Sequence, residues 1–342
     1  MISSTIDNLR SKASGLLRRR MHSAVVLLYH RVIDLECDPQ LLAVSPKRFD
    51  EQMRLIAREF NPISLMALSD CIRRGSVPDR TVVVTFDDGY EDNLINAKPI
   101  LEKHDIPATV FVASGAVGGE REFYWDKLED IFLTARVLPS ELAIRIGNEE
   151  CLWVLGNDVA SYLQQSWDVL CPQVHSPHQS AYVALCDKLR PLSHDQQTVA
   201  IDRLCHWAGV DSGPRPTHRT MSTDQVRELV TGGLIEVGAH TIDHPILAAL
   251  PIEEQRKQIG QSKADLQRMI GRPIHSFSYP YGTRSSYTQA TVNAVVEAEF
   301  TCACSNFPDR LARGVDPYQL PRELVRDWGS ARLLEEVGGL AA

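Results

Sequence analysis

Long apolar runs are missing from this 342-residue chain. The longest clean one, residues 24–29, is far short of the roughly 20 residues that cross a bilayer, and too short for a signal-peptide core. The expectation is a cytoplasmic, unexported protein. An excess of basic charge is missing as well: 36 Lys and Arg stand against 44 Asp and Glu, a formal net charge of -8. That balance argues against nucleic acid as a partner, since a duplex-binding surface must neutralise many phosphates. The eight cysteines, Cys37, Cys71, Cys151, Cys171, Cys186, Cys205, Cys302 and Cys304, include no CxxC pair, so they read as reduced thiols. Cys302 and Cys304 are two apart in an apolar stretch, which places both sulfurs on one sheet face as buried free thiols. Hydrophobic residues at 44% and charged residues at 23% exclude a disordered or disulfide-scaffold chain. The length suits one large domain with an insertion, or two ordinary domains.

What is present is a β/α rhythm. Residues 25–29, 81–86, 108–113, 234–239, 276–279, 300–304 and 320–325 read as strands. Residues 81–86, TVVVTF, are β-branched and apolar on both faces, as a buried parallel strand requires. Helical spacing marks 46–59, 92–104, 223–230 behind Ser222, 252–270 up to Gly271, and 289–299. Alternation of this kind predicts a parallel sheet or barrel with its working residues at the carboxyl ends of the strands. The rhythm sets the boundaries: a leader at 1–22, the first part of the barrel at 23–118, an insertion at 119–220, the second part at 221–328, and a tail at 329–342. The insertion carries Trp125, Trp153, Trp167 and Trp207, a hairpin turn at Gly147-Asn148 and a helix at 181–189, and reads as a lid or substrate-side subdomain. The leader sets Ile6, Leu9, Leu16 and Leu17 beside Arg18, Arg19 and Arg20. It suits peripheral contact with an anionic membrane or a helix packed on the body, the second preferred because one such helix is a weak anchor.

Chemistry-bearing residues collect at four strand ends. TVVVTF runs into Asp87-Asp88-Gly89-Tyr90; adjacent carboxylates there need not share a face, so one suits a cation and the other a base. Taken alone, an Asp-Asp-Gly turn is the blander alternative. The strand at 234 ends in His240-Thr241-Ile242-Asp243-His244, two imidazoles four apart that would face one way on a turn of helix, as a divalent metal needs. Two histidines and one carboxylate make a three-ligand site with open positions. Tyr279-Pro280-Tyr281-Gly282 is a rigid aromatic turn, able to wall a sugar and to aim a backbone N–H at a developing oxyanion, or to pack as an aromatic corner. Tyr29-His30-Arg31 supplies a histidine suited to general acid work. Tyr90, Trp125, Tyr279 and Pro280 are the candidate substrate contacts.

Together these segments resemble the polysaccharide deacetylase family, carbohydrate esterase family four, over about 23–118 and 220–328. The resemblance implies a distorted (β/α) barrel of about seven strands that hydrolyses N-acetyl groups of a carbohydrate. It makes Asp87 the base, Asp88, His240 and His244 the ligands of a divalent metal, with zinc the default and Co2+, Ni2+ or Fe2+ alternatives, and Tyr281 the oxyanion N–H donor. The family's C-terminal Leu-x-His is absent. Permuted members carry the histidine in a first-strand Tyr-His-Arg-Val, to which residues 29–32 are similar, making His30 the acid. Ser278 stands near the place of the usual arginine, and Arg322 becomes the candidate for orienting Asp87. Other readings on the same scaffold are hydrolysis of another amide, a cyclic imide or an O-acetyl ester, and a carbohydrate-binding protein without catalysis.

Overall fold

Seven short parallel strands curl into one sheet in the computed structural model, which describes residues 24–134, 136–156, 167–171, 173–309, 311 and 314–340. The 1–22 leader lies outside the described residues. In chain order the strands are β1 (Ala24–Tyr29), β2 (Thr81–Phe86), β3 (Ala108–Val112), β4 (Ile235–Ala239), β5 (Ser276–Ser278), β6 (Cys302–Cys304) and β7 (Glu323–Leu324). Each of β1 to β6 lies beside its sequence neighbour, and β7 returns to pair with β1. A two-residue strand, Asn61–Pro62, adds an eighth member at the start of β2. Leu320 bridges to Cys304 and Glu323 pairs with Leu27, so residues 320–324 link the two edges of the sheet. Pro321, which has no N–H for a ladder, falls inside the stretch expected as one strand at 320–325.

The alternation of side chains sorts the core into two layers. Val25, Leu27 and Tyr29 of β1 and Val82, Val84 and Phe86 of β2 point outward under the surrounding helices. Val26, Val83, Phe111, Cys302, Cys304 and Leu320 point inward and fill the curl, so both sulfurs share a face, as their spacing predicts. Gly238 is required there, because a Cβ on it would lie 2.3 Å from the Phe111 ring.

Helix Pro46–Glu59 begins at Ser45, whose side chain accepts from Arg48 N–H, and has proline in its first turn. Helix Ile252–Ile270 stops at Gly271, left-handed at φ 68°. The stretch expected as one helix at 92–104 opens instead as a π turn at Asn93–Ala97, before the α-helix Lys98–His104. Asp92 and Asn93 there are engaged by residues 30–32, which sets the wider turn. The tail contains a helix, Ser330–Leu340, which buries Leu333 and Val337 against the outer layer.

The described residues between 124 and 208 gather around a second hydrophobic cluster. It comprises helix Tyr124–Leu133, the antiparallel hairpin Glu141–Ile146 and Glu149–Val154, and helices Pro177–Leu189 and His194–Ala208. Buried charge links the barrel to Thr217 and ties the returning segment to this unit. Arg31 pairs with Asp92 at 3.0 Å and donates to the Thr217 carbonyl, while Arg215 pairs with Glu122 at 2.8 Å and Glu129 at 2.6 Å. Among the described residues no helix is long and apolar enough to cross a membrane.

Candidate active site

The carboxyl end of β2 sends its two aspartates in different directions because the backbone turns over between them. Asp88 has φ 75° and Gly89 φ 80°, a left-handed pair that costs a non-glycine residue about 1–3 kcal/mol unless the surroundings hold it. Asp87 points to Arg322, which donates to Oδ1 at 2.7 Å and to Oδ2 at 2.6 Å. Ser278 Oγ donates to Asp87 Oδ2 at 3.2 Å and accepts from Arg322 at 2.8 Å. Arg322 also donates to Ser305 O and Thr85 Oγ1. It therefore projects from inside the curled sheet, ahead of β7, instead of from a strand end. Burial favours the neutral acid of Asp87, but Arg322, His240 and His30 outweigh it and hold its pKa below the usual carboxylate range.

Asp88 points to the two histidines. Its Oδ1 lies 3.5 Å from His240 Nε2 and 3.4 Å from His244 Nε2, and the three ligating atoms lie within 4.8 Å of one another. The histidines are not on a helix, as their spacing of four suggests. Residues 240–246 form a turn in which Thr241 (φ 66°) and His244 (φ 56°) are left-handed. Thr241 Oγ1 donates to His240 O and accepts from His244 N–H, and the reversal brings both rings onto Asp88. His240 Nδ1 donates to Ser278 O at 2.8 Å, which leaves Nε2 as the nitrogen that faces Asp88; burial lowers the pKa of this histidine, but Asp87 and Asp88 outweigh burial and raise it. Burial lowers His244 to about 4, against the pull of Asp88, so its imidazole is neutral, the form that ligates.

These residues fit a divalent cation. Asp88 Oδ1 is buried with no hydrogen-bond partner among the described residues, a costly arrangement that a cation between the three ligands would relieve. Among the described residues Asp88, His240 and His244 are the one group arranged to hold a metal.

A cavity of about 370 Å³ opens over this group and is lined by His30, Asp87, Asp88, His240, His244 and Tyr281 among others. The pKa of His30 is lowered by burial, an effect that Asp88 and Asp87 oppose. Asn93 donates to the His30 carbonyl at 2.8 Å. Tyr281, left-handed at φ 59°, sets its ring 4.8 Å from the His244 ring, and its hydroxyl meets that of Tyr124 at 3.2 Å. Trp125 lines the cavity, edge-on to His244 at 5.2 Å.

Three expected substrate contacts stand elsewhere. Tyr279 is fully buried, stacks on Tyr287 at 4.0 Å and donates to Tyr318 O. Tyr90 is fully buried under Arg31; its hydroxyl donates to Asp126 at 2.7 Å and accepts from Trp125 Nε1 at 3.1 Å, so it positions the indole from behind. Pro280 is buried and does not line the cavity. Strand and turn geometry turn these three side chains away from the opening. Sequence reading missed Tyr124 and Arg190, which the insertion places at the cavity, Arg190 lying 5.7 Å from the Tyr281 ring. A separation of 91 residues between Arg190 and Tyr281 gives no local signal for that contact.

Known proteins bear out the architecture. The family model for polysaccharide deacetylase matches residues 74–136 and 206–303, spanning the strand ends that carry Asp88, His240 and His244 and leaving out the centre of the insertion. Over those residues the chain carries a polysaccharide deacetylase domain. The poly-beta-1,6-N-acetyl-D-glucosamine N-deacetylase of Staphylococcus aureus is 32% identical over 128 residues, 34% of this chain and 44% of that protein. The chain thus matches less than half the length of that curated relative. The solved structure of IcaB from Ammonifex degensii superposes with a TM-score of 0.59 at 19% identity, covering 94% of this chain and 98% of that one. The Streptococcus pyogenes deacetylase PplD, solved with acetate, gives a TM-score of 0.56 at 15% identity, covering 93% and 98%. The chain therefore shares its fold with both.

Proposed function

We propose that the protein is a metal-dependent hydrolase that removes N-acetyl groups from an amino-sugar-containing glycan or glycan precursor and releases acetate. The observation that carries this reading is the division of labour between neighbouring carboxylates. Asp87 is held by Arg322 outside the ligand set, and Asp88 is inside it with His240 and His244. A divalent cation on those three residues, zinc by default or cobalt, nickel or iron(II), supplies Lewis acidity at the acetamide carbonyl.

The protein's own groups do the rest. Asp87, ionised in its grip, accepts a proton from water as the water oxygen bonds to the carbonyl carbon. The backbone N–H of Tyr281 donates to the oxygen on which negative charge develops. His30 donates a proton to the nitrogen as the C–N bond breaks, so that a neutral amine departs. Acetate and a free amino sugar result. The Staphylococcus aureus relative is named for poly-N-acetylglucosamine, which favours an N-acetylglucosamine glycan as the substrate class. We retain a cytoplasmic location in the proposal; recovery of the protein outside intact cells would overturn it.

The test is acetate release from N-acetylated mono- and oligosaccharides by metal-stripped protein, with and without added zinc or cobalt. Metal-dependent release is the expected result. No release from any of them, with metal bound at one equivalent, would overturn the reading in favour of another amide or ester.

A further inference from the structure

Strand β1 ends at Tyr29, immediately before His30. Tyr29 is the last residue of β1 to pair with β2, and its carbonyl accepts from Asp87 N–H at 3.0 Å. Residues Arg31–Val32 then pair with Ala43–Val44 in a separate ladder. His30 falls between the two ladders, and its backbone carbonyl needs a partner from elsewhere. The ring has no anchor of its own at Nδ1, which is buried without a hydrogen-bond partner among the described residues. Its place at the cavity therefore rests on the backbone that carries it.

The missing partner comes from the segment after β2. Asn93 donates from Nδ2 to the His30 carbonyl at 2.8 Å. Beside that contact, Asp92 accepts from Val32 N–H at 2.7 Å and from Arg31 Nε at 3.1 Å, and Asn96 donates to the Val32 carbonyl at 2.8 Å. Asp92 and the π turn that follows it, Asn93–Ala97, thus hold three successive residues, His30, Arg31 and Val32. Such turns recur at functional sites. Asn93 is buried, and its Oδ1 has no partner among the described residues. An apolar side chain would fill the same space without that cost, so the bond to the His30 carbonyl is what the amide adds.

We propose that Asn93 is a positioning residue for general acid catalysis: it fixes the backbone of His30 so that the imidazole meets the departing nitrogen. This rests on the deacetylase reading above, in which His30 protonates that nitrogen as the C–N bond breaks. Proton transfer requires the two heavy atoms at hydrogen-bond distance and in line. A backbone free to swing at residue 30 would therefore slow turnover while leaving the metal and the sugar bound. Asn93 does not line the cavity, so it acts through His30.

The experiment measures kcat, KM and bound zinc for the zinc-reconstituted wild type, for Asn93→Leu, which keeps the volume, for Asn93→Ala, and for Asn93→Leu combined with His30→Ala. Substrates are the N-acetylated mono- and oligosaccharides together with phenyl acetate and p-nitrophenyl acetate, whose leaving phenolates differ in their need for a proton. Either folded single variant is expected to lose about 10–100-fold in kcat on the sugars, with KM and zinc content kept. The loss is expected to be severalfold greater on phenyl acetate than on p-nitrophenyl acetate, because the poorer leaving group depends more on the acid. In the His30→Ala background Asn93→Leu is expected to cost nothing further, as two residues acting through one step are not additive. Wild-type kcat in both single variants, equal losses on the two esters, or a full further loss in the His30→Ala background would overturn the positioning role. A greater loss on phenyl acetate in the Asn93 variants, with no acetate from any N-acetylated sugar by any form of the protein, would instead support that role and overturn the sugar deacetylase reading.

Discussion

Arg322 grips both carboxylate oxygens of Asp87, at 2.7 and 2.6 Å, from 235 residues away in the chain. Two parallel charge-assisted hydrogen bonds fix the plane of the carboxylate as well as its charge, which a single lysine ammonium does not do. Arg322→Lys is expected to keep the fold and the bound metal while lowering kcat by about 10–100-fold, because misplacement of a catalytic group by about an ångström has that order of cost. Arg322→Ala leaves Asp87 buried without a counter-charge and is expected to cost about 3–5 kcal/mol of stability. Thermal unfolding and acetate release on the two variants separate these effects. An Arg322→Lys enzyme at full rate would show that the fork is not needed.

Asp87→Asn and His30→Ala are expected to bind one equivalent of zinc as the wild type does and to lose about 10²–10⁴ in kcat, the usual range for a general base or acid. Metal content by elemental analysis and turnover on the same samples decide the matter. Loss of metal in Asp87→Asn would exchange the roles of the two aspartates, and an unimpaired His30→Ala would remove His30 as the acid.

Asp88→Asn, His240→Ala and His244→Ala are expected to abolish tight metal binding, and chelation of the wild type to stop acetate release reversibly. The measurement is a zinc titration of stripped protein by calorimetry. Stoichiometric high-affinity zinc in any of the three variants would place the ligand set elsewhere.

Burial lifts the Asp126 carboxyl to about 7, against the opposing pull of Arg31 and the Tyr90 hydroxyl. Its folded-state pKa therefore lies above the unfolded value of about 3.9. The native state binds the extra proton between those two values, and stability falls as pH rises through about 4 to 7. Asp126→Asn keeps an acceptor for Tyr90 and removes the titration. The variant's melting temperature is expected to exceed that of the wild type above pH 7 and to converge with it near pH 4. A gap that is independent of pH would show that Asp126 is ionised throughout.

Trp125→Ala is expected to raise KM for the glycan severalfold, since the indole borders the cavity. Tyr279→Phe is expected to lower stability by about 1 kcal/mol, the net worth of its hydrogen bond to Tyr318 O, with kcat and KM unchanged. Steady-state kinetics and denaturant titration on both variants test the contrast. A KM change in Tyr279→Phe would return Tyr279 to the substrate site.

Much of the architecture is written in local pattern. TVVVTF, the apolar stretch at 24–29 and the helix at 252–270 before Gly271 announce themselves through composition, period and capping, which depend on near neighbours in the chain. Asp87, Asp88, His240 and His244 were legible because a parallel strand delivers the residues at its carboxyl end to one rim. The direction of individual side chains was not legible. Tyr90 and Tyr279 sit in segments as informative as the ligands do, yet one faces Asp126 and the other Tyr318, and no periodicity runs through a turn to say so.

The sequence by itself determined the β/α order and the strand ends that carry the chemistry, since these follow from short-range propensity and capping, and its motifs named the residues of the candidate metal set. Tertiary structure alone decided three things. Left-handed backbone at Asp88, Thr241 and His244 turns the carboxylate and imidazoles inward. Return of the chain at 320–324 to the first strand puts Arg322 onto Asp87. Packing of the insertion on the barrel brings Tyr124 and Arg190 to the cavity. The last two depend on contacts between residues far apart in the chain, whose geometry arises only when the sheet curls and the insertion packs on it.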